Sequence, residues 1–301
     1  MGLGQARVAR TLSVDRALVI GASGLVGGAL LRRLGPSGTG TYRSRPQPGL
    51  RPLDASDRDA VARVIAELAP DAIFFPAANA NVDWCEREPA EAERENLDPL
   101  RATLAAAGDV PVIAYSSDYV FNGAAGPYTE TAAVAPLSVY GRIKVELERL
   151  VLAAGGTVIR TTGVFGWEAP PARNFVLRTA ATLARGERAR VANDQIANPT
   201  YADDLAAASI EVARDGGTGI WHIGGAELLA RDAFARLVAE AFDADAALID
   251  GVPTAALGQA ARRPLRGGLR CVRYRAHFGA APVRPVRGAL AALRAKVEVP
   301  V

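Results

Sequence analysis

Tyr140 and Lys144 stand four residues apart in Y-G-R-I-K, a spacing that puts both side chains on one face of a helix. A phenol that titrates near pH ~10 is a poor acid at neutral pH. A neighbouring ammonium stabilises the phenolate and makes the phenol a workable proton donor. Such a pair also arises by chance on solvated helices, but composition favours chemistry here. Of 35 Lys and Arg residues only Lys144 and Lys296 are lysines, so a chain that otherwise chooses Arg has set a Lys beside this Tyr. Upstream, the apolar run P-V-I-A-Y ends in Ser116, Ser117 and Asp118. That places hydroxyls at the carboxyl end of a buried strand, the edge at which parallel sheets bind ligands. Ser117 is suited to hydrogen-bond a carbonyl and the alkoxide that develops from it.

A second constellation lies near the beginning of the chain. The strand-like A-L-V-I from Ala17 runs into G-A-S-G-L-V-G and then into the helical A-L-L-R-R-L. Gly21 can turn sharply off the strand, Gly24 lets a pyrophosphate approach the backbone, and Gly27 lets helix and strand pack closely. The helix N-terminus would hold the anion. The spacing is G-x-x-G-x-x-G rather than G-x-G-x-x-G, so its place between strand and helix carries the inference. Where an NAD site offers a carboxylate to the ribose, this chain reads T-Y-R-S-R. Arg43 and Arg45, with Ser44 as a further donor, would attract a 2′-phosphate. The expected cofactor is therefore NADPH, with NADH as the alternative. Asp54, in L-D-A-S-D, is placed to reach the adenine.

The elements that must position these groups alternate regularly. A strand over 39–43 and a helix over Arg58–Leu68 are followed by a doubly buried strand over 71–78 and a helix over 90–107. The Ser117 strand, a helix over Val139–Ala153 and a strand over 157–162 continue the series. Such alternation predicts an α/β chain of Rossmann type, a doubly wound parallel sheet, with a smaller C-terminal substrate-binding lobe. The expected division is a loose leader over 1–16, a nucleotide-binding domain over 17–166 and a mainly substrate-binding lobe over 167–301. A strand near 219–225 returns to the nucleotide-binding domain, and a helix over 231–242 follows.

Composition excludes several classes. The net charge of +3 comes with no long run of either sign, which gives nucleic-acid binding no support. Cys85 and Cys271 are far apart and lack metal-ligand spacing, so they read as free thiols of a cytoplasmic protein, with no metal site. No apolar run approaches the roughly 20 residues that span a bilayer, so no membrane partner is expected. His222 and His277 lie outside every motif and receive no role.

Taken together these motifs resemble the extended short-chain dehydrogenases, and among them the dTDP-4-dehydrorhamnose reductase-like sugar-nucleotide reductases. The likeness includes A-A-N-A-N-V-D-W-C-E from Ala77, Asn96 in E-N-L-D, S-S-D-Y-V-F-N-G from Ser116, and I-R-T-T-G-V-F-G from Ile159. It continues through N-D-Q-I-A-N-P-T from Asn193 and R-R-P-L-R-G-G-L from Arg262. The resemblance implies that Ser117, Tyr140 and Lys144 form the catalytic triad. Ser23, Leu25, Val26, Ala77, Ala78 and Asn96 would join the glycines around the cofactor, with Asn96 at the nicotinamide half. Asn79, Val82, Asp118 and Tyr119 would line a nucleotide-sugar substrate, in a protein that could pair as a homodimer. The family usually has Thr at the position of Ser117 and Trp at that of Gly163, so one aromatic wall of the sugar pocket is missing here. Related dehydratases carry Glu where Tyr119 stands, which disfavours dehydration. Two alternatives stay open at this level: an epimerase with bound NAD, and a non-catalytic subunit resembling the methionine adenosyltransferase beta subunit.

Overall fold

A computed structural model describes residues 13–279 and 283–297. Its first half winds as the alternation predicts. β1 (Ala17–Ile20) leads to α1 (Leu25–Leu34), and β2 (Gly38–Tyr42) and β3 (Arg51–Pro52) to α2 (Arg58–Leu68). β4 (Ala72–Phe75) is followed by α3 (Val82–Arg87) and α4 (Pro89–Ala107), β5 (Val112–Ser117) by α5 (Val139–Ala153), and then comes β6 (Thr157–Thr161). The second half alternates short strands with helices: β7 (Val164–Phe165), α6 (Phe175–Ala184), β8 (Ala189–Ala192), β9 (Ile196–Ala197) and β10 (Thr200–Tyr201). It continues through α7 (Ala202–Arg214), β11 (Gly219–His222), β12 (Leu229–Ala230), α8 (Arg231–Ala241), β13 (Ile249–Val252), α9 (Val272–Phe278) and α10 (Val286–Arg294).

Seven strands form one sheet in the order β11-β6-β5-β4-β1-β2-β3, and every pairing in it is parallel. The order reverses between β4 and β1, so a crevice opens beyond their carboxyl ends. Successive strand residues face opposite sides and build two cores. Val19, Phe74, Ile113 and Ile159 pack under α1 and α7, and Ile20, Ile73, Phe75, Ala114 and Val158 pack under α2, α4 and α5. A third core, with Phe165, Val176, Phe234, Val238 and Leu290, belongs to the lobe.

Several expectations are revised. The expected leader lies outside the described residues over 1–12. Its last four residues are held, with Val14 buried and the amides of Asp15 and Arg16 donating to the Asp71 carboxylate at 3.0 and 3.1 Å. The strand expected over 71–78 ends at Phe75, and α3 follows, capped by Asn81, whose Oδ1 accepts from the Trp84 amide at 3.1 Å. The strand expected over 219–225 stops at His222. Besides the returning strand expected near 219–225, α7 and α9 also pack on the nucleotide-binding sheet, where Leu205, Ala208 and Tyr274 join Trp221 of β11 in its core. Helix α7 has no counterpart among the expected elements; it buries Ala202, Ala206, Ala208 and Ala213 beside Leu205, Ile210 and Val212.

Candidate active site

Ser117 is the last residue of β5, and Tyr140 and Lys144 lie on the face of α5 turned toward it. The start of α5 is set by Ser138, whose Oγ accepts from the Gly141 amide at 3.2 Å. It is set also by Glu86, whose carboxylate accepts from the Val139 amide at 2.9 Å. Gly141 has a local necessity: a Cβ there would lie 2.3 Å from the Tyr119 carbonyl oxygen. Glycine lets α5 press its first turn against the end of β5, and that contact brings the phenol to the serine.

Tyr140 is 7% exposed and Lys144 3%. Burial pushes the Tyr140 phenol well above its ordinary value, and Tyr119, Cys85 and Asp118 add to the push. A hydrogen bond from Ser117 works against it. In the free protein the phenol therefore holds its proton, as a donor must. Lys144 Nζ donates to the Tyr115 carbonyl at 2.9 Å and lies 5.6 Å from the Tyr140 ring centre. Burial pulls the ammonium down to about 8, against the raising influence of Glu148 and Cys85.

The glycine turn has the geometry that a pyrophosphate needs. Gly21 has φ +94°, and a Cβ on it would meet Ala77 at 2.8 Å, so the ends of β1 and β4 touch there. Gly24 caps α1 with no side-chain acceptor, and Leu25 and Val26 open the helix. The first amides of α1 are thus left for an anion. A Cβ on Gly27 would lie 2.4 Å from the Gly21 carbonyl oxygen, the close packing expected of it. Gln47 donates to the carbonyl of half-buried Ser23 at 3.3 Å. Ser44 is exposed and Arg45 half-buried beyond β2. Arg43 pairs with Glu95 at 3.3 Å, and Asn79 Nδ2 donates to the other oxygen of Glu95 at 3.1 Å. Asp54 accepts from the hydroxyl and amide of Ser56, which hold its carboxyl below the usual range, with Arg43 adding to the effect.

Two expected ligand contacts are used internally. Asn96 is buried, accepting from the Asn79 amide at 3.0 Å and donating to the Ala92 carbonyl at 2.8 Å. It braces the loop carrying Ala77, Ala78 and Asn79. Asp118, expected against the sugar, is 3% exposed. Its carboxylate accepts from Thr162 at 2.7 Å, Ser117 at 3.1 Å and the Gly268 amide at 3.3 Å. Asp118 thereby ties the strand end to a distant segment of the lobe. Tyr119 does face the Tyr140 phenol, edge-on with ring centres 5.6 Å apart, and Val82 stands half-buried at the head of α3. Gly163 has φ +54°, a conformation that non-glycine residues rarely adopt.

Arginines 231 and 263 were missed by sequence reading, although Arg263 stood inside a quoted motif. Arg263 lies 5.9 Å from the Tyr119 ring and binds Asp83 at 2.7 Å, while its Nη1 is buried without a partner. Arg231 stacks on Phe175 at 4.3 Å. Burial pulls its guanidinium down, Tyr119 holds it up, and Arg178 and Arg263 repel it. Among the described residues neither Arg178 nor Arg231 has an ion-pair partner, so positive charge accumulates at this mouth of the crevice.

The model of the RmlD substrate binding domain family matches residues 15–298. The chain belongs to this family. A dTDP-4-dehydrorhamnose reductase of Sinorhizobium fredii is 35% identical over 242 residues, 75% of this chain and 81% of its own. One of Escherichia coli K12 is 33% identical over 279 residues, 87% of this chain and 91% of its own. Among solved structures, the dTDP-4-dehydrorhamnose reductase of Bacillus anthracis in complex with NADP superposes with a TM-score of 0.85. It is 24% identical and covers 94% of this chain and 99% of its own, a likeness of fold. Family membership agrees with the doubly wound sheet and its crevice. Among the described residues no group of three His, Cys, Asp or Glu side chains could hold a metal, and no helix is long and apolar enough to cross a membrane.

Proposed function

We propose that this chain reduces a keto group of a nucleotide-linked deoxysugar with NADPH, as its relatives named dTDP-4-dehydrorhamnose reductases do. The observation that carries this reading is the convergence of Ser117, Tyr140 and Lys144 at the carboxyl edge of the sheet, beside a glycine turn whose helix N-terminus is bare of acid and cap. Gly21, Gly24 and Gly27 would admit the cofactor pyrophosphate, Arg43, Ser44 and Arg45 its 2′-phosphate, and Asp54 its adenine side. NADPH supplies the hydride for the carbonyl carbon. Ser117 orients the carbonyl, Tyr140 gives its proton to the oxygen, and the Lys144 ammonium, anchored on Tyr115, stabilises the phenolate left behind. Hydride and proton together turn the ketone into an alcohol, and solvent returns the proton to Tyr140. Asn79, Val82 and Tyr119 line the sugar, and Arg231 and Arg263 receive the charge of the nucleotide diphosphate.

Purified protein should oxidise NADPH in the presence of a dTDP-4-keto-deoxysugar. Tyr140→Phe, which removes only a buried hydroxyl, should lower kcat by at least about 100-fold with little change in melting temperature. Near-wild-type turnover in the folded variant would remove the triad, whereas binding of NADPH and sugar nucleotide by the wild type with no oxidation of NADPH would favour a binding subunit. Tightly copurified NAD with no net cofactor turnover would instead favour an epimerase.

A further inference from the structure

Glu148 lies one helical turn beyond Lys144 and is also buried. Its Oε1 accepts from Ser116 Oγ at 2.5 Å and from Arg160 Nε at 2.8 Å, and its Oε2 accepts from Arg160 Nη2 at 2.6 Å. Arg160, on β6, is packed over Phe121 at 5.1 Å, with His222 of β11 3.4 Å from Nη1. Three successive turns of α5 thus meet the last three residues of β5: Glu148 holds Ser116, Lys144 holds the Tyr115 carbonyl, and Tyr140 meets Ser117.

We propose that Glu148 is the positioning residue of this site, a carboxylate clamped by Arg160 and Ser116 that holds Lys144 in register on β5 and keeps it charged during turnover. The inference rests on the catalytic reading of Lys144. A buried Arg-Glu pair by itself is weak evidence of anything beyond packing. What distinguishes this one is the third charge on the same helix face. The groups facing Lys144 are Glu148 and Tyr140 on α5, Cys85 on α3 and the Tyr115 carbonyl on β5. Those facing Glu148 are Ser116 on β5 and Arg160 on β6, with neutral His222 behind. Glu148 is the one carboxylate among these groups, and burial works against the ammonium from all sides. Without the carboxylate, Lys144 would lose its proton at a lower pH.

The chain has only two lysines, Lys144 and Lys296, so protein labelled with carbon-13 lysine reports both side chains directly by NMR, without cofactor or substrate. In the wild type Lys144 should titrate near 8. In Glu148→Gln its midpoint should fall by about one unit or more, while Lys296 keeps its own. Because Glu148→Gln leaves Arg160 buried without a counter-charge, Glu148→Gln/Arg160→Gln provides a charge-balanced second variant with the same expected direction. Glu148→Asp should restore part of the shift. A Lys144 midpoint unchanged in either folded variant would overturn the inference and leave the catalytic reading standing. Full turnover in Tyr140→Phe would overturn that reading whatever the lysine titration shows.

Discussion

At the scale of single residues, burial sets the chemistry of the site more than any pair of charges does. Lys144 is held at about 8, so keto reduction at saturating substrate should lose rate as pH rises through about 8, where the ammonium that supports the Tyr140 phenolate disappears. A kcat profile flat to pH 10 would contradict the role given to Lys144. The same shift acts on stability with a definite sign. The folded-state value lies below the ordinary lysine value of 10.5, so the buried ammonium exerts its full destabilisation below about 8 and is relieved between about 8 and 10.5, where the unfolded chain binds the extra proton. The arginines divide by location. Arg231→Ala should raise KM for the sugar nucleotide several-fold and leave NADPH affinity near wild type. Arg43→Ala combined with Arg45→Ala should do the reverse, weakening NADPH and sparing NADH. Steady-state kinetics with both cofactors separates the two.

At the scale of elements, the active site depends on how closely α5 and α1 approach the strand ends. Gly141 is the sharpest case, because a methyl group there would meet backbone, the Tyr119 carbonyl oxygen at 2.3 Å, instead of a side chain that could swing away. Gly141→Ala should therefore displace the first turn of α5. The expected result is a loss of about 1–3 kcal/mol in stability, the scale of overpacking, with a fall in kcat that exceeds any change in NADPH affinity. Unfolding in denaturant together with NADPH titration by fluorescence would reveal an α5 that tolerates the methyl, if stability and kcat both stayed at wild-type values.

At the scale of the whole molecule, the chain leaves the nucleotide-binding sheet after β6, builds part of the lobe, and returns through α7 and β11 before closing the lobe with α8 and α10. His222 sits at the end of the returning strand, fully buried, where burial and then Arg160 hold its ring down to about 3. The native state therefore refuses a proton that the unfolded chain takes up below the ordinary histidine value of 6.5. Stability from this group is complete above 6.5 and is lost as pH falls toward 3, by about 1.4 kcal/mol per pH unit. His222→Asn should flatten the fall of unfolding free energy between pH 6 and 4 by about that slope, whatever it does to stability at pH 7. An identical slope would mean that another group carries the acid sensitivity. The lobe is tied to the sheet from another side by Asp118, which reaches Gly268 across 150 residues of sequence.

What could be read from residues alone was what is local. The apolar runs and glycine turn imply the doubly wound sheet, the bounds of α2 and α5 agree with their periodicity, and Tyr140 and Lys144 share a face because any helix places residues four apart together. The crevice wall was not legible, because it is assembled from segments that no periodicity links. Arg263 meets Asp83 across 180 residues, Arg231 is placed by the pairing of β12 with β9, and Arg178 comes from α6. Burial was equally hidden. Asp118 and Asn96 read in sequence as polar groups open to a ligand, yet the fold encloses both and spends their hydrogen bonds on backbone and hydroxyl groups. Local sequence specifies which groups are present and how an element displays them. Long-range packing determines which of those groups are left with bonding capacity for a substrate.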